Sequence, residues 1–280
     1  MSIIQNNNEF RFVNTTNTYE KLPALNYALK KDIRGEYYLE QLKNFKLPSK
    51  IYGNHSIVDR WLTSWKVNSF KNLGILLNGL KGTGKTITAQ KLCIDSGLPV
   101  ITITEYFCGS DFVSFVTNPA LGEYILFIEE FEKIYKSKDN DTTDLLTIMD
   151  GIYDTKILFL LTSNEINKNE YLINRLSRIK YKKDYNSLEN EVIEEVINDK
   201  LKNKEHADSI YKFFEKLGIA TFDLLINIIN EMNTFGEDAL ECAKHLNLDY
   251  ETMYCDVYEE VNGELYKCSD VKFSLNFTEV

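Results

Sequence analysis

Gly79-Leu80-Lys81-Gly82-Thr83-Gly84-Lys85-Thr86 has the form G-x-x-x-x-G-K-[ST]. Glycines at this spacing let successive backbone N–H groups turn inward around phosphate oxygens. Lys85 would then reach the β and γ phosphates of a nucleotide, and Thr86 would place its hydroxyl on Mg2+. A helix starting here adds the positive end of its dipole. Gly79, Gly82, Thr83, Gly84, Lys85, Thr86 and Ile87 are the candidate phosphate cradle. Further along, Ile125-Leu126-Phe127-Ile128 runs into Glu129-Glu130, 43 residues after Thr86. Two carboxylates leaving an apolar strand suit a Mg2+ shell (Glu129) and the orientation of an attacking water (Glu130). Asn164, at the tip of the run Ile157–Thr162, could hydrogen-bond a γ-phosphate or that water.

These residues need a scaffold that brings strand ends together. Leu73–Leu77, Val100–Thr104, Tyr124–Ile128 and Ile157–Thr162 are short apolar runs separated by helical segments such as Thr86–Ser96. Runs of this kind predict a parallel sheet covered on both faces, an α/β fold of the P-loop NTPase type. Ligands in such sheets sit beyond the carboxyl ends of the strands, where both motifs fall. Four parts are expected: an N-terminal extension over 1–50, the large α/β domain over 51–183, a small helical lid over 184–248 and an acidic β-hairpin tail over 249–280. A helix is expected around Leu25–Phe45, ending before Pro48. In the lid, Leu224, Leu225, Ile228 and Ile229 have helical spacing. Asn262-Gly263 signals a hairpin turn, and Val271, Phe273, Leu275 and Phe277 alternate with polar residues as a half-buried strand. An isolated hairpin is marginal in water, so the tail must pack, either on its own lid or on a neighbouring subunit.

Composition narrows the functions open to the chain. Its 280 residues are 44% hydrophobic and 26% charged, enough for one large domain with a satellite. The net charge is −10, of which residues 249–280 carry −6 through eight acids and two bases. This argues against a surface that grips nucleic acid throughout and leaves room for a local basic strip. The five cysteines show no CxxC spacing, and Cys242 with His245 is only half a zinc site, so neither a metal nor a disulfide framework is expected. The polar, Asn-rich start does not read as a signal peptide, and no apolar run approaches the roughly 18 residues of a membrane span. A soluble cytoplasmic protein without a membrane partner is expected.

In their order along the chain, these motifs resemble the AAA+ superfamily of P-loop ATPases, and most of all the AAA clade proper. GLKGTGKT is similar to its Walker A motif, ILFIEE to Walker B, and LLTIMDGIYDTKILFLLTSN to the segment leading to sensor 1, with Asn164 in that place. Arg175 and Arg178, in NEINKNEYLINRLSR, have a spacing similar to the two arginines that reach a neighbouring subunit's γ-phosphate. Tyr52 and Gly53, in Ile51-Tyr52-Gly53, occupy the place of a segment that packs on adenine. Phe107-Cys108-Gly109 resembles the aromatic pore loop that grips a threaded polypeptide, and GIATFDLLINIINE resembles the lid helix carrying sensor 2. Two departures stand out: Glu129 replaces the usual Asp, and Ala220-Thr221 leaves no arginine at the lid helix. The resemblance covers roughly 50–248. It implies ATP and Mg2+ as ligands, ATP hydrolysis catalysed by Glu130, Asn164, Arg175 and Arg178, and a homo-oligomeric, hexameric ring remodelling or threading a protein substrate. The alternative is a clamp-loader-like or helicase-loader-like ATPase acting on DNA-bound partners, since Leu176-Ser177-Arg178 resembles a clamp-loader Ser-Arg element. A nucleotide-gated scaffold that barely hydrolyses ATP is disfavoured by Glu130.

Overall fold

A computed structural model describes residues 2–6, 8–13, 19–67, 72–135, 142–164, 175–246, 257–261 and 264–268. The chain divides into two compact units, 1–187 and 188–280.

The first unit is built on a nine-stranded sheet. Its strands are β1 (Ser2–Asn6), β2 (Glu9–Val13), β3 (Asn26–Lys31), β4 (Tyr37–Gln41), β5 (Leu73–Gly79), β6 (Val100–Ile103), β7 (Tyr124–Ile128), β8 (Ile157–Ser163) and β9 (Tyr181–Tyr185), in the order β1-β2-β4-β3-β6-β7-β8-β5-β9. From β3 to β9 every neighbouring pair is parallel, whereas β1, β2 and β4 join antiparallel. The expected apolar runs are therefore the central strands, and α/β is the observed class. Strand alternation sends Ile125 and Phe127 to one face and Leu126 and Ile128 to the other. Helices α1 (Ile57–Val67) and α2 (Lys85–Ser96) cover the first face through Trp61, Trp65, Ala89 and Leu92. Helices α3 (Ser110–Val116), α4 (Phe131–Ile134) and α5 (Thr143–Met149) cover the second through Phe112, Phe131 and Ile148.

The helix expected around Leu25–Phe45 is corrected: this stretch is the β3–β4 hairpin. Asp32 decides it. Its Oδ1 accepts the backbone N–H groups of Arg34 and Glu36, both at 2.9 Å, which closes a turn and stops a helix from running through. Tyr27 and Leu29 are then buried on one face of β3, which pairs in parallel with β6. The N-terminal segment thus extends the main sheet.

β5 is pressed against the chain entering and leaving β9. Lys180 N donates to Gly74 O at 2.9 Å, and a Cβ at Gly74 would overlap the carbonyl of Arg178. A glycine inside a buried strand is the sequence sign of such an approach.

The second unit holds α6 (Asn190–Lys200), α7 (Ala207–Leu217), α8 (Phe222–Phe235) and α9 (Ala239–Ala243), as helical spacing predicts for this region. Leu225, Ile228 and Ile229 are buried, and Thr221 Oγ1 caps α8 by accepting Leu224 N at 3.4 Å. β10 (Val257–Val261) and β11 (Glu264–Cys268) pair antiparallel, with Val261 opposite Glu264. The turn at 262–263 and the strand expected over 271–277 lie outside the described residues. Among the described residues no helix is long and apolar enough to cross a membrane.

Gly74→Ala should cost ~3 kcal/mol of stability, the upper range for overpacking. Gly97→Ala, at φ 64 but with nothing within 4 Å of where a Cβ would stand, should cost only about 1 kcal/mol. Chemical denaturation of both variants checks the order; equal losses would remove the close contact from the account.

Candidate functional site

The carboxyl ends of β5, β7 and β8 meet at one end of the sheet, and each contributes a chemical group. The loop after β5 turns through Gly79 and Gly82 and enters α2 at Gly84, whose left-handed φ of 104° only glycine adopts readily. Its base is fixed from β9: Leu80 N donates to Tyr185 O at 2.8 Å. Thr83 Oγ1 donates to Leu80 O at 2.6 Å and tightens the loop. Lys85 is 7% exposed, and its ammonium donates to the carbonyls of Gly79 (2.6 Å) and Leu80 (2.5 Å). Burial pushes its pKa down, against the pull of Glu132 and then Glu130. Among the described residues the hydrogen bonds of this buried ammonium go to two neutral carbonyls, which favours binding of an anion beside it.

Thr86 Oγ1 donates to Glu129 Oε1 at 3.2 Å, so the longer Glu in place of Asp spans the gap between α2 and β7. Both are exposed oxygen donors beside the phosphate cradle. Among the described residues no three His, Cys, Asp or Glu side chains form a metal site. A hydroxyl and one carboxylate nevertheless fit Mg2+, which takes one or two protein oxygens and fills its octahedron with phosphates and water.

Glu130 has φ 50, the only positive value among the described non-glycine residues. A non-glycine residue held in this region is strained, and such strain gathers at functional sites. The turn is held by Glu130 N donating to Thr162 Oγ1 at 2.9 Å. Its Oε1 accepts from Asn164 Nδ2 at 2.8 Å and its Oε2 from Lys133, and the Lys133 contact foremost holds the carboxyl below the ordinary range. Glu130 and Asn164, 34 positions apart, are thus hydrogen-bonded across neighbouring strands.

Tyr52 and Gly53 are carried to the same helix. His55 Nε2 lies 3.1 Å from Tyr52 O, and its Nδ1 lies 3.4 Å from Thr88 Oγ1, which accepts from the Tyr185 hydroxyl at 2.8 Å. Ile87 is half-buried on α2.

Sequence reasoning missed three residues that hold the candidate site residues in place. His55 is one. Glu132 is the second: its Oε1 accepts Asn164 N at 3.1 Å, while its buried Oε2 has no hydrogen-bond partner. A third carboxylate just past a buried strand was the available signal. The third is Asp150, which bonds Arg178 through Nε and Nη2, each at 2.8 Å, and reaches Arg175 at 3.4 Å. No local pattern announces a partner 28 positions away.

The arginines are not beside the phosphate loop of their own chain. The Arg178 carbonyl lies over Gly74, five residues before Gly79 along β5, which separates the two ends by about 17 Å at 3.3 Å per residue.

The structure places Phe107, expected in a pore loop, in the core of its own chain. Phe107 is 6% exposed, stacked on Phe112 and edge-on to Tyr37 from β4. Tyr135 donates its hydroxyl to Phe107 O at 3.3 Å, and Gly109 N donates to Asp144 Oδ2 at 2.6 Å. Of the aromatic and thiol side chains in Phe107-Cys108-Gly109, only Cys108 faces solvent.

Residues 75–185, from β5 to β9, match the family model described as ATPase family associated with various cellular activities (AAA). No curated protein matches the chain. The match begins and ends on the two strands that hold the glycine loop and encloses Glu129, Glu130, Asn164, Arg175 and Arg178, so residues 75–185 are similar to the ATPase domain of the AAA family.

Proposed function

We propose that the protein hydrolyses ATP with Mg2+ at a site completed by a second copy of itself, and uses the cycle to remodel a protein substrate. The convergence of Lys85, the Thr86–Glu129 pair and the Glu130–Asn164 pair at the ends of three strands carries this reading. Gly79 to Thr86 would cradle the phosphates, with Lys85 leaving its two carbonyls for the β and γ oxygens. Thr86 and Glu129 would hold Mg2+, which when bound neutralises charge on those oxygens. Glu130 would orient and polarise the attacking water, with Asn164 fixing the carboxylate. Tyr52 and Gly53 would meet the base, coupled to α2 through His55.

The 175–178 turn supports a homo-oligomeric ring, which we take to be hexameric. It lies at the opposite end of β5 from its own phosphate loop, too far for an arginine side chain to span. Arg175, at the start of this turn, is exposed.

Protein is preferred to nucleic acid as substrate because the net charge is −10. Burial of Phe107 removes the aromatic grip that threading through a pore would use, so remodelling through other surfaces is the form we propose.

Lys85→Ala should abolish ATP binding, and Glu130→Gln should bind ATP but lose turnover by on the order of 10³-fold, the scale on which transition-state groups act in phosphoryl transfer. Nucleotide titration and phosphate release measure the two separately; near-normal turnover in Glu130→Gln would reassign the catalytic carboxylate. With wild type, turnover should rise on adding unfolded protein and stay level with primed DNA. The reverse response would favour the clamp-loader-like alternative.

A further inference from the structure

We infer that Asp150 is a positioning residue that divides the labour of the two arginines: it locks Arg178 into a strut and leaves Arg175 as the side chain that reaches a second copy. The inference rests on the reading of a site shared between copies.

Arg178 is committed to its own chain at three points. Its guanidinium makes a two-point ion pair with Asp150, Nε to Oδ1 and Nη2 to Oδ2, both at 2.8 Å. Its carbonyl fills the space where a Cβ at Gly74 would stand. Its N–H donates to Arg175 O at 2.9 Å, and the next residue, Ile179, is buried in the core. The side chain is only 12% exposed. A fork already matched to a carboxylate in this geometry would have to break both bonds to serve a phosphate.

Arg175 opens the same turn under opposite conditions. Its side chain is 61% exposed, and its contact with Asp150 is one 3.4 Å approach. Arg178 N and Ile179 N both donate to its carbonyl, at 2.9 and 3.1 Å, so its backbone is fixed while its side chain is loosely held. Asp150 therefore sets the place from which Arg175 extends. It immediately follows α5, and so ties the arginine turn to the helix layer as well as to β5. The Arg178 hydrogen bonds hold the Asp150 carboxyl below its ordinary range, as expected of an ionised partner.

The test compares Arg175→Ala, Arg178→Gln, Asp150→Asn and the double variant Asp150→Asn/Arg178→Gln in full-length protein. kcat, KM for ATP and melting temperature are measured for each. Arg175→Ala should melt like wild type and lose turnover by on the order of 10³-fold, the scale of an arginine supplied by a partner. Asp150→Asn and Arg178→Gln should each lower kcat by on the order of 10²-fold, as misplacement does. Their KM should stay near wild type, and the double should be no worse than either single, because the two act as a unit. Arg178→Gln as damaging as Arg175→Ala, with Asp150→Asn near wild type, would overturn the strut. If the single variants melt below the assay temperature, the reversed pair Asp150→Arg/Arg178→Asp decides: recovered turnover supports the strut, and a folded but inactive pair overturns it. The underlying reading fails separately. It fails if Arg175→Ala keeps wild-type turnover, or if mixing it with Lys85→Ala subunits restores none.

Discussion

At both ends of β5 the backbone of a neighbouring segment stands where a side chain would begin. Gly74 lies against the carbonyl of Arg178, and Gly79 against the backbone of Tyr185. The two contacts fix different things. At the carboxyl end, Tyr185 accepts Leu80 N and holds the root of the phosphate loop. At the amino end, the same pairing sets the arginine turn against the sheet. β5 and β9 are parallel and in register from Ile75 with Tyr181 to Gly79 with Tyr185, so one strand pairing carries both contacts. The strand is a rigid spacer between a chain's own phosphate site and the arginines it would present to a second copy.

The N-terminal strands add a second constraint. β3 pairs along β6, and β4 brings Tyr37 against Phe107, Phe112 and Phe115. An edge strand left bare is open to pairing with other chains, and here the edge at β6 is covered by the chain's own beginning. The cover also anchors the loop after β6, through the aromatic packing and the Lys30–Glu105 ion pair at 3.9 Å. The loop is thereby tied to the core.

Charge placement inside the site follows from burial. Lys85 and the carboxylates of Glu130 and Glu132 sit close enough to influence one another, and Lys85 is desolvated. The orphaned Oε2 of Glu132 is under the same constraint, since a buried carboxylate oxygen without a donor is costly. Glu130 avoids this cost through Asn164 and Lys133. Glu132 holds the backbone of Asn164, so the two acids grip one residue from its side chain and from its main chain.

The sequence by itself determined the phosphate loop, the carboxylate pair, Asn164 and the parallel central strands. Each is written in contiguous residues: glycines at fixed offsets, apolar runs, and acids at strand ends. Gly74 is visible there only as a glycine inside an apolar run; the carbonyl of Arg178 that requires it comes from the tertiary structure. Only the tertiary structure decided that residues 25–45 form a hairpin, because the turn at Asp32 and the pairing of β3 with β6 outweigh a helical reading of the same letters. It alone placed Phe107 in the core, since an aromatic in a loop becomes a grip or a packing residue according to what lies beside it, here Tyr37 from 70 positions earlier. It alone separated Arg178 from Arg175. Two arginines three positions apart are equivalent as letters; they differ once Asp150, 28 positions from one of them, pairs with that one through both its oxygens.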